Sequence, residues 1–579
     1  MKKTIIAIVL VCSTFCSFSQ TDSTKKSNLP LTYWMNADEL ARKNEIGMNF
    51  RGTNPPEAPI INIAEFQPMQ GVLVRYPFGI PVSLIAAMSQ IVTVTTSISS
   101  ANQQTTVENI YRSNGVNMNN VDFVIANTDS YWTRDYGPWM IIDGNDEFGV
   151  VDFIYNRPRP NDDAHAATMA NFLNINYFSM DFVQTGGNYM TDGYGTAAST
   201  DLALTENEDM TTAEIENMTH DFLGIDTYHF TADPLDDYIA HIDCWGKYLA
   251  VDKVMIGQVP ASDYRYSQFE AIADWFANTT TPWGNKYRVY RVFTPGGMNT
   301  TTPYTNCLIL NDHVFLPQTG SSYDQDAIEA YQAAMPGYTI VPIMESSSTP
   351  WENTDALHCR THEIADLGML LIRHYPICGQ QAYYPQFTIQ ADITALSGQA
   401  LESDSILIYY KINQENWQNR PMHAVGGKTW EGTISGITDS CGISYYIFAK
   451  DYSLRREKHP YIGEYDPHFF TVSAPYTPPI IIDDDYEEDD IYTQITDSQI
   501  NNYKITPNPA HSFFHIYAAN GESVSIYDAS GKLISQNSFH SQKNMTVDCS
   551  QWADGIYFIL IKTKNGKTIT DKILITSSL

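Results

Sequence analysis

The chain has 579 residues, 43% hydrophobic and 12% aromatic, with 34 basic against 66 acidic side chains and a formal net charge of −32. That much apolar sequence buries sizeable cores, which excludes wholesale disorder, and the length implies about three or four domains. The negative field excludes nucleic acid and anionic membrane as natural partners and favours cationic ones.

The first twenty residues predict a secretory signal. Lys2 and Lys3 form its charged start, Thr4 to Val11 its apolar stretch, and Ser17 to Ser19 its small residues before Gln20. No later segment reaches the roughly 18 to 20 apolar residues that span a bilayer, so the expectation is an exported, soluble chain. Six cysteines follow the signal: Cys244, Cys307, Cys359, Cys378, Cys441 and Cys549. They have neither the paired spacing of a zinc site nor the density of a disulfide scaffold. One or two bridges remain open, as does a thiol free for chemistry.

Residues 21–44 are polar and read as a short leader or a loosely ordered start. From 45 to 375 short apolar strands alternate with helical stretches, an α/β pattern. Strands are predicted at Gly71 to Tyr76, Asp122 to Ile125, Val150 to Tyr155, Leu249 to Ile256 and Asn306 to Leu310. Helices are predicted at Pro81 to Ile91, Thr211 to Leu223, Tyr266 to Ala277 and Asp324 to Ala334. From 376 to 474 only strands are expected, including Phe387 to Ile393, Ile406 to Ile412, Thr429 to Ile434, Ile443 to Lys450 and His468 to Val472. Their spacing suggests an immunoglobulin-like sandwich. Residues 475–501 read as an acidic linker, since seven of the eight residues Asp483 to Asp490 are acidic. The segment 502–579 is again all β. Its Pro507-Asn508-Pro509 opening, Ile526-Tyr527-Asp528-Ala529-Ser530-Gly531-Lys532 and Gly555 to Leu560 resemble the C-terminal sorting domain of type IX secretion, which implies the type IX machinery as a partner and a secreted or outer-membrane cell-surface location.

Three stretches concentrate reactive residues. Thr128 to Trp139 sets Trp132, Arg134 and Asp135 before a Gly137-Pro138 turn, just after an apolar strand. A strand end is a common place for a site, though an aromatic corner with a salt bridge would leave the same trace. In His241-Ile242-Asp243-Cys244, an extended backbone would put His241 and Asp243 on one face as an acid/base unit; such pairs also arise by chance. Cys359 stands between His358, Arg360 and His362, cations able to lower a thiol pKa. A metal reading fails here for want of a second cysteine.

Taken in order, Asp135, His241, Asp243, Asn306 and Cys359 resemble the guanidino-group-modifying enzymes, most closely the secreted Porphyromonas-type peptidylarginine deiminases. Supporting runs are Arg75 to Pro81, Tyr155-Asn156-Arg157-Pro158-Arg159-Pro160 and Gln184-Thr185-Gly186-Gly187-Asn188. The resemblance implies a five-bladed α/β propeller, the pentein fold, and a hydrolase that converts arginine side chains to citrulline without a cofactor or metal. It implies Cys359 as nucleophile, His241 as general acid and base, and Asp135 and Asp243 as the carboxylates gripping the guanidinium. Asn306 falls beside the nucleophile and Trp132 on the pocket wall. The same resemblance gives Arg157 and Arg159 the C-terminal carboxylate of a peptide, so the expected partners are peptides and proteins ending in arginine. On the residues alone, the two arginines read as surface salt-bridge partners in an acidic protein.

Gly137-Pro138 looks more like the agmatine deiminase branch. An agmatine or free-arginine deiminase is therefore the rival reading, followed by a cysteine peptidase using Cys359, His241 and Asn306, and by an inactive binding protein.

Overall fold

A computed structural model describes residues 31–236, 239–295, 302–474 and, between 503 and 576, all but short stretches at 507–509, 511–512, 519–520, 529–531, 540–543, 550–551 and 565–567. The expected signal at 1–20, the acidic run Asp483 to Asp490 and the turns at 507–509 and 529–531 lie outside the described residues. The chain divides into two compact units, Met1–Thr477 and Pro478–Leu579.

Five small sheets in the first unit repeat one plan: an antiparallel pair whose second strand continues, through a helix, into a parallel neighbour. Trp139–Ile142 pairs with Phe148–Tyr155, which crosses through helix His165–Leu173 to Asn176–Gln184. Met190–Thr191, Thr196–Thr200 and Thr227–Thr231 follow, with helix Thr212–Leu223 in the crossover. Next come Gly246–Ala250, Lys253–Gln258 and Arg288–Phe293 with helix Tyr266–Asn278. Leu308–Leu310, His313–Gln318 and Thr339–Met344 complete the fourth with helix Asp324–Ala334. Parallel neighbours need such long crossovers, and a helix covers the sheet while making one.

The fifth sheet joins the end of this region to its beginning. His362–Ala365 lies antiparallel to Met69–Arg75, with His362 opposite Leu73, and Thr93–Ile98 and Val121–Ile125 continue the sheet in parallel. The strand that follows Cys359 is therefore stitched to a strand near the start of the region, which fixes the nucleophile candidate against residues nearly 300 positions earlier in the chain.

The expected single strand Leu249 to Ile256 is instead the turn of a hairpin, Gly246–Ala250 and Lys253–Gln258. Almost every residue of this stretch is buried, so its apolar run has no alternation to mark the reversal. Residues 31–45 also depart from a loose start. Asn36 caps helix Ala37–Ala41 in a capping box with Glu39, a short 3-10 turn at Lys43–Glu45 follows, and Glu39 is 1% exposed.

Beyond residue 370, two sheets pack over Ile389, Ile393, Ile408, Tyr410, Ile443 and Tyr445 as a β-sandwich. One holds Leu370–Arg373, Gln386–Ala395, Thr429–Ser435 and His423–Gly426; the other is built around Leu407–Ile412, Cys441–Lys450 and His468–Val472. The second unit is another two-sheet β domain, cored by Phe514, Ile516, Val524, Ile526, Ile559 and Ile573. All six cysteines are free thiols, so neither β domain depends on a bridge.

Candidate active site

The predicted catalytic residues converge from four separated stretches, two of them short helical turns and two lying just before a strand. Trp132 precedes the short helix Thr133–Tyr136, which carries Asp135. His241 precedes a 3-10 turn, Ile242–Cys244, which carries Asp243. Asn306 lies two residues before Leu308–Leu310, and Cys359 three before His362–Ala365. The 3-10 turn corrects the extended backbone expected for His241 and Asp243. The Ile242 amide donates to the buried Asn188 carboxamide at 3.3 Å, which fixes the turn's start.

Asn306 is the hub. Its carboxamide nitrogen donates to Asp243 Oδ2 at 3.1 Å and lies 3.0 Å from Cys359 Sγ, while its oxygen accepts the Cys359 amide at 3.1 Å and the Ala356 amide at 3.0 Å. The thiol also lies 3.5 Å from Asp243 Oδ2. Across the site, His241 Nδ1 stands 3.7 Å from Asp135 Oδ1. Asp135 Oδ1 and His241 Nε2 are buried without a hydrogen-bond partner. Buried polar atoms are rarely left so, and an acceptor beside a ring nitrogen is what a cationic, hydrogen-bond-donating substrate would complete. Gly187 makes room for them, because a Cβ there would meet His241 Nδ1 at 2.6 Å and Asp135 Oδ1 at 2.8 Å.

The cations flanking Cys359 in sequence do not face its thiol. Arg360 turns to Asp355, at 3.0 and 2.8 Å, and stacks on Tyr131 and Trp351. His362 bonds the Glu363 carbonyl, and burial holds its ring down near about 4, so it is neutral. Consecutive residues leaving a turn point in different directions, so adjacency in sequence did not become adjacency in space. Burial instead pushes the Cys359 thiol well above its ordinary range, with Cys244 and Asp243 adding to the effect.

His358 is the cation that matters, and it acts on Asp243. Its Nδ1 lies 2.7 Å from Asp243 Oδ2 and its Nε2 3.0 Å from Glu65 Oε2; Lys247 Nζ closes the row at 2.7 Å from the same Glu65 oxygen. A carboxylate on each ring nitrogen is satisfied only by an imidazolium donating at both. Burial opposes ionisation of Asp243, but the His358 bond and charge, with His241, hold it below the usual carboxylate range. Asp135 has no such partner: burial lifts it above that range, only partly offset by His241. Behind the row, Arg134 grips Glu363 through two bonds of 3.1 and 2.6 Å. Glu65 was not legible as a site residue, since nothing in Ile63-Ala64-Glu65-Phe66 distinguishes it from a surface carboxylate.

Trp132 is 3% exposed, anchored by its indole N–H on Asp355 at 2.9 Å. The Arg159 guanidinium lies 5.1 Å from its ring centroid. Arg157 and Arg159 are buried, and the charge of Arg157 is felt at both Asp135 and Glu206. They are not open to solvent. Arg159 pairs with Glu39 at 2.7 Å and donates to the Thr32 carbonyl at 2.8 Å, and Arg157 donates to the Tyr33 carbonyl at 3.3 Å. Sequence reasoning missed this partner because it lies 120 residues away.

Asp243, Cys244 and Cys359 bring one donor atom each within 4.8 Å of one another. Two of these three already belong to the Asn306 network. Asp243 and Cys359 thus present a thiol held beside a carboxylate.

Residues 62–364, just over half of the chain, match the family described as Porphyromonas-type peptidyl-arginine deiminase. Residues 504–576 match the secretion system C-terminal sorting domain, which makes this a secreted or cell-surface protein. No helix among the described residues is long and apolar enough to cross a membrane. The chain is 26% identical over 265 residues to a Mycoplasma mycoides subsp. mycoides protein provisionally named agmatine deiminase, covering 39% of this chain and 72% of that protein. It is 25% identical over 264 residues to the agmatine deiminase of Pseudomonas putida, with the same coverage. The X-ray structure of another protein provisionally named agmatine deiminase aligns with a TM-score of 0.50 at 19% identity, over 55% of this chain and 99% of that one, so the fold is shared. The catalytic region is thus that of a guanidino-group deiminase, a hydrolase, and the chain belongs to the Porphyromonas-type peptidyl-arginine deiminase family.

Proposed function

We propose that this deiminase acts on peptidyl arginine, preferentially at a free C terminus, and releases citrulline and ammonia. The observation that carries this reading is that Arg159, stacked on the Trp132 wall beside Asp135, already holds a carboxylate at 2.7 Å. A buried cation that already pairs with a carboxylate, with Asp135 Oδ1 left without a hydrogen-bond partner, suits a substrate bearing both charges, arginine with its terminal carboxylate. Agmatine bears only one.

In this reading Asp135 and Asp243 accept the planar guanidinium's N–H donors and hold its central carbon in front of Cys359. The thiol starts protonated, kept so by burial and the carboxylates. The arriving cation offsets those charges and favours the thiolate, whose proton passes to His241. Sγ then bonds to the central carbon, and a proton from His241 goes to the departing nitrogen as the C–N bond breaks and ammonia leaves. Water, deprotonated by the now neutral His241, attacks the S-bound amidino carbon. The C–S bond breaks, the thiol is restored, and a neutral ureido group remains. That product has lost the charge that both carboxylates held. Every group needed belongs to the chain, so the reading requires no cofactor. The sorting domain supports export through the type IX machinery, and an acidic enzyme surface favours basic protein targets.

Agmatine deiminase is the second reading, favoured by the names of the similar proteins and by Gly137-Pro138. Mass spectrometry of a peptide ending in arginine, beside agmatine, separates the two. Four kcat/KM values then locate the carboxylate reader: parent and Arg157→Ala/Arg159→Ala enzymes against free-acid and amidated peptides. The double variant is expected to lose about ten- to a hundredfold on the free acid alone, the weight of one or more charge-assisted hydrogen bonds. Turnover of agmatine with no citrulline from either peptide would overturn the proposal.

A further inference from the structure

The residues that hold Arg157 and Arg159 come from the chain's own N-terminal segment, and they copy what a bound peptide would offer. Glu39 supplies a carboxylate to Arg159 at 2.7 Å, and Thr32 and Tyr33 supply backbone carbonyls to the two guanidinium groups. Arg42 returns a bond from the segment to the Pro158 carbonyl between the two arginines, at 3.2 Å. Tyr33 packs against the large core cluster that includes Ile239, Ile242 and Cys244. The site residues Cys359, His241 and Trp132 are each less than 5% exposed.

The segment does not owe this placement to its own stability. Helix Ala37–Ala41 has five residues, far below the roughly 12 to 15 at which an isolated helix becomes even marginal. Glu39 does two tasks, capping that helix through Oε2, at 3.0 Å from the Asn36 amide, and binding Arg159 through Oε1. Its outer side is left in water: Trp34 is 40% and Leu40 56% exposed, and Met48 and Asn49 beyond it are exposed. The docking rests on a few charge-assisted bonds and little apolar burial, which is the low-stability end of a fold.

We propose that residues 31–45 are an internal occupant of the substrate's carboxylate subsite, with Glu39 standing in for the terminal carboxylate, and that the enzyme gains access to peptides when this strap leaves. The inference rests on the peptidyl-arginine reading and adds a regulation of that site. If the strap is seated nine-tenths of the time, apparent affinity for a carboxylate-bearing substrate falls about tenfold, because only the open fraction binds.

The test uses the full chain in three forms: parent, Glu39→Gln, and a form with a site-specific protease sequence inserted at Met48-Asn49, so that the strap is severed after folding. Each is assayed on free-acid peptide, amidated peptide and agmatine. Glu39→Gln and the severed enzyme are expected to gain about tenfold or more in kcat/KM on the free-acid peptide, with a smaller gain on the amide. A synthetic peptide of residues 31–45, added to the severed enzyme, is expected to inhibit competitively against the free acid. Unchanged or lower kcat/KM on the free acid in both altered forms overturns the strap while leaving the substrate reading in place. Peptides inert in all three forms, with agmatine turned over, overturn the substrate reading and the carboxylate mimic with it.

Discussion

Two buried histidine clusters in the first unit show what separates a reactive site from a packed one. His374, His459 and His468 sit where the sandwich meets the α/β region. His459 Nδ1 lies 2.9 Å from His468 Nε2, His459 Nε2 2.7 Å from the Tyr194 hydroxyl, and His374 Nε2 2.8 Å from the Tyr445 hydroxyl. Trp283 closes over His468 edge-on at 5.2 Å. Burial depresses all three rings, and at His459 and His468 the neighbouring histidines, with Arg373 and Arg288, add repulsion. His241 and His358 are as deeply buried, but each faces a carboxylate: Asp135 for one, Asp243 and Glu65 for the other. Equal burial comes with different partners. The difference lies in which side chains the fold brings from other sheets, and hydroxyl partners make a scaffold where carboxylate partners make a site.

The sharpest break in that comparison is at the thiol. Cys359→Ala should abolish turnover while leaving substrate binding largely intact, because the carboxylates that grip the guanidinium remain. Citrulline release near the parent rate would remove Cys359 from the chemistry, and calorimetric titration with an arginine peptide checks the binding half.

The carboxylates come next. Asp135→Asn or Asp243→Asn keeps the shape and removes a buried charge, which should cost about 2 to 5 kcal/mol of substrate and transition-state binding, roughly thirty- to several-thousandfold in kcat/KM. Normal kinetics in both variants would leave the guanidinium without its grip. Because Asp135 is held up by burial, activity of the parent should also fall off on the acid side at higher pH than an exposed aspartate would give.

His358→Gln tests whether the imidazolium row tunes Asp243 or only packs beside it. Without the ring, Asp243 loses the partner that holds it low. The acid limb of the kcat/KM profile should therefore move to higher pH, with a loss of about ten- to a hundredfold at neutral pH. A variant that melts earlier but keeps the parent profile would make the ring a scaffold like His374.

The smallest effect belongs to the neutral cluster and appears in stability, with no change in the chemistry. Burial holds His374 at about 4 in the folded state against an ordinary 6.5, and holds His459 and His468 well below that ordinary value too. The unfolded chain binds protons first as pH falls, so stability is full above about 6.5 and drains below it, by up to about 1.4 kcal/mol per pH unit for each histidine. Urea midpoints at pH 7 and 4.5 should show this loss, and His459→Phe should reduce it. An acid loss identical in the variant would assign it to carboxylates elsewhere.

Much of the fold was legible because it is carried by local signals. Helices Asp324–Ala334 and Tyr266–Asn278 announce themselves by apolar period, and the later strands by alternation. The hairpin at 246–258 was read as one strand because residues buried on both faces carry no period to break. Asp135, His241, Asp243, Asn306 and Cys359 could be proposed as a set because their order resembles that of the guanidino-group-modifying enzymes.

What the residues alone determined is chemistry: a thiol, an imidazole, two carboxylates and an export signature at the chain's end. What only tertiary structure decided is partnership. The three basic residues around Cys359 in sequence were sent to Asp355, to Asp243 with Glu65, and to a backbone carbonyl, and a polar N-terminal stretch became the ligand of two arginines. A side chain's direction is set by the turn it leaves and the sheet it meets, and its charge state by groups as distant in sequence as Glu65 is from His358. Electrostatic energy depends on distance through space, and a linear sequence does not contain that distance.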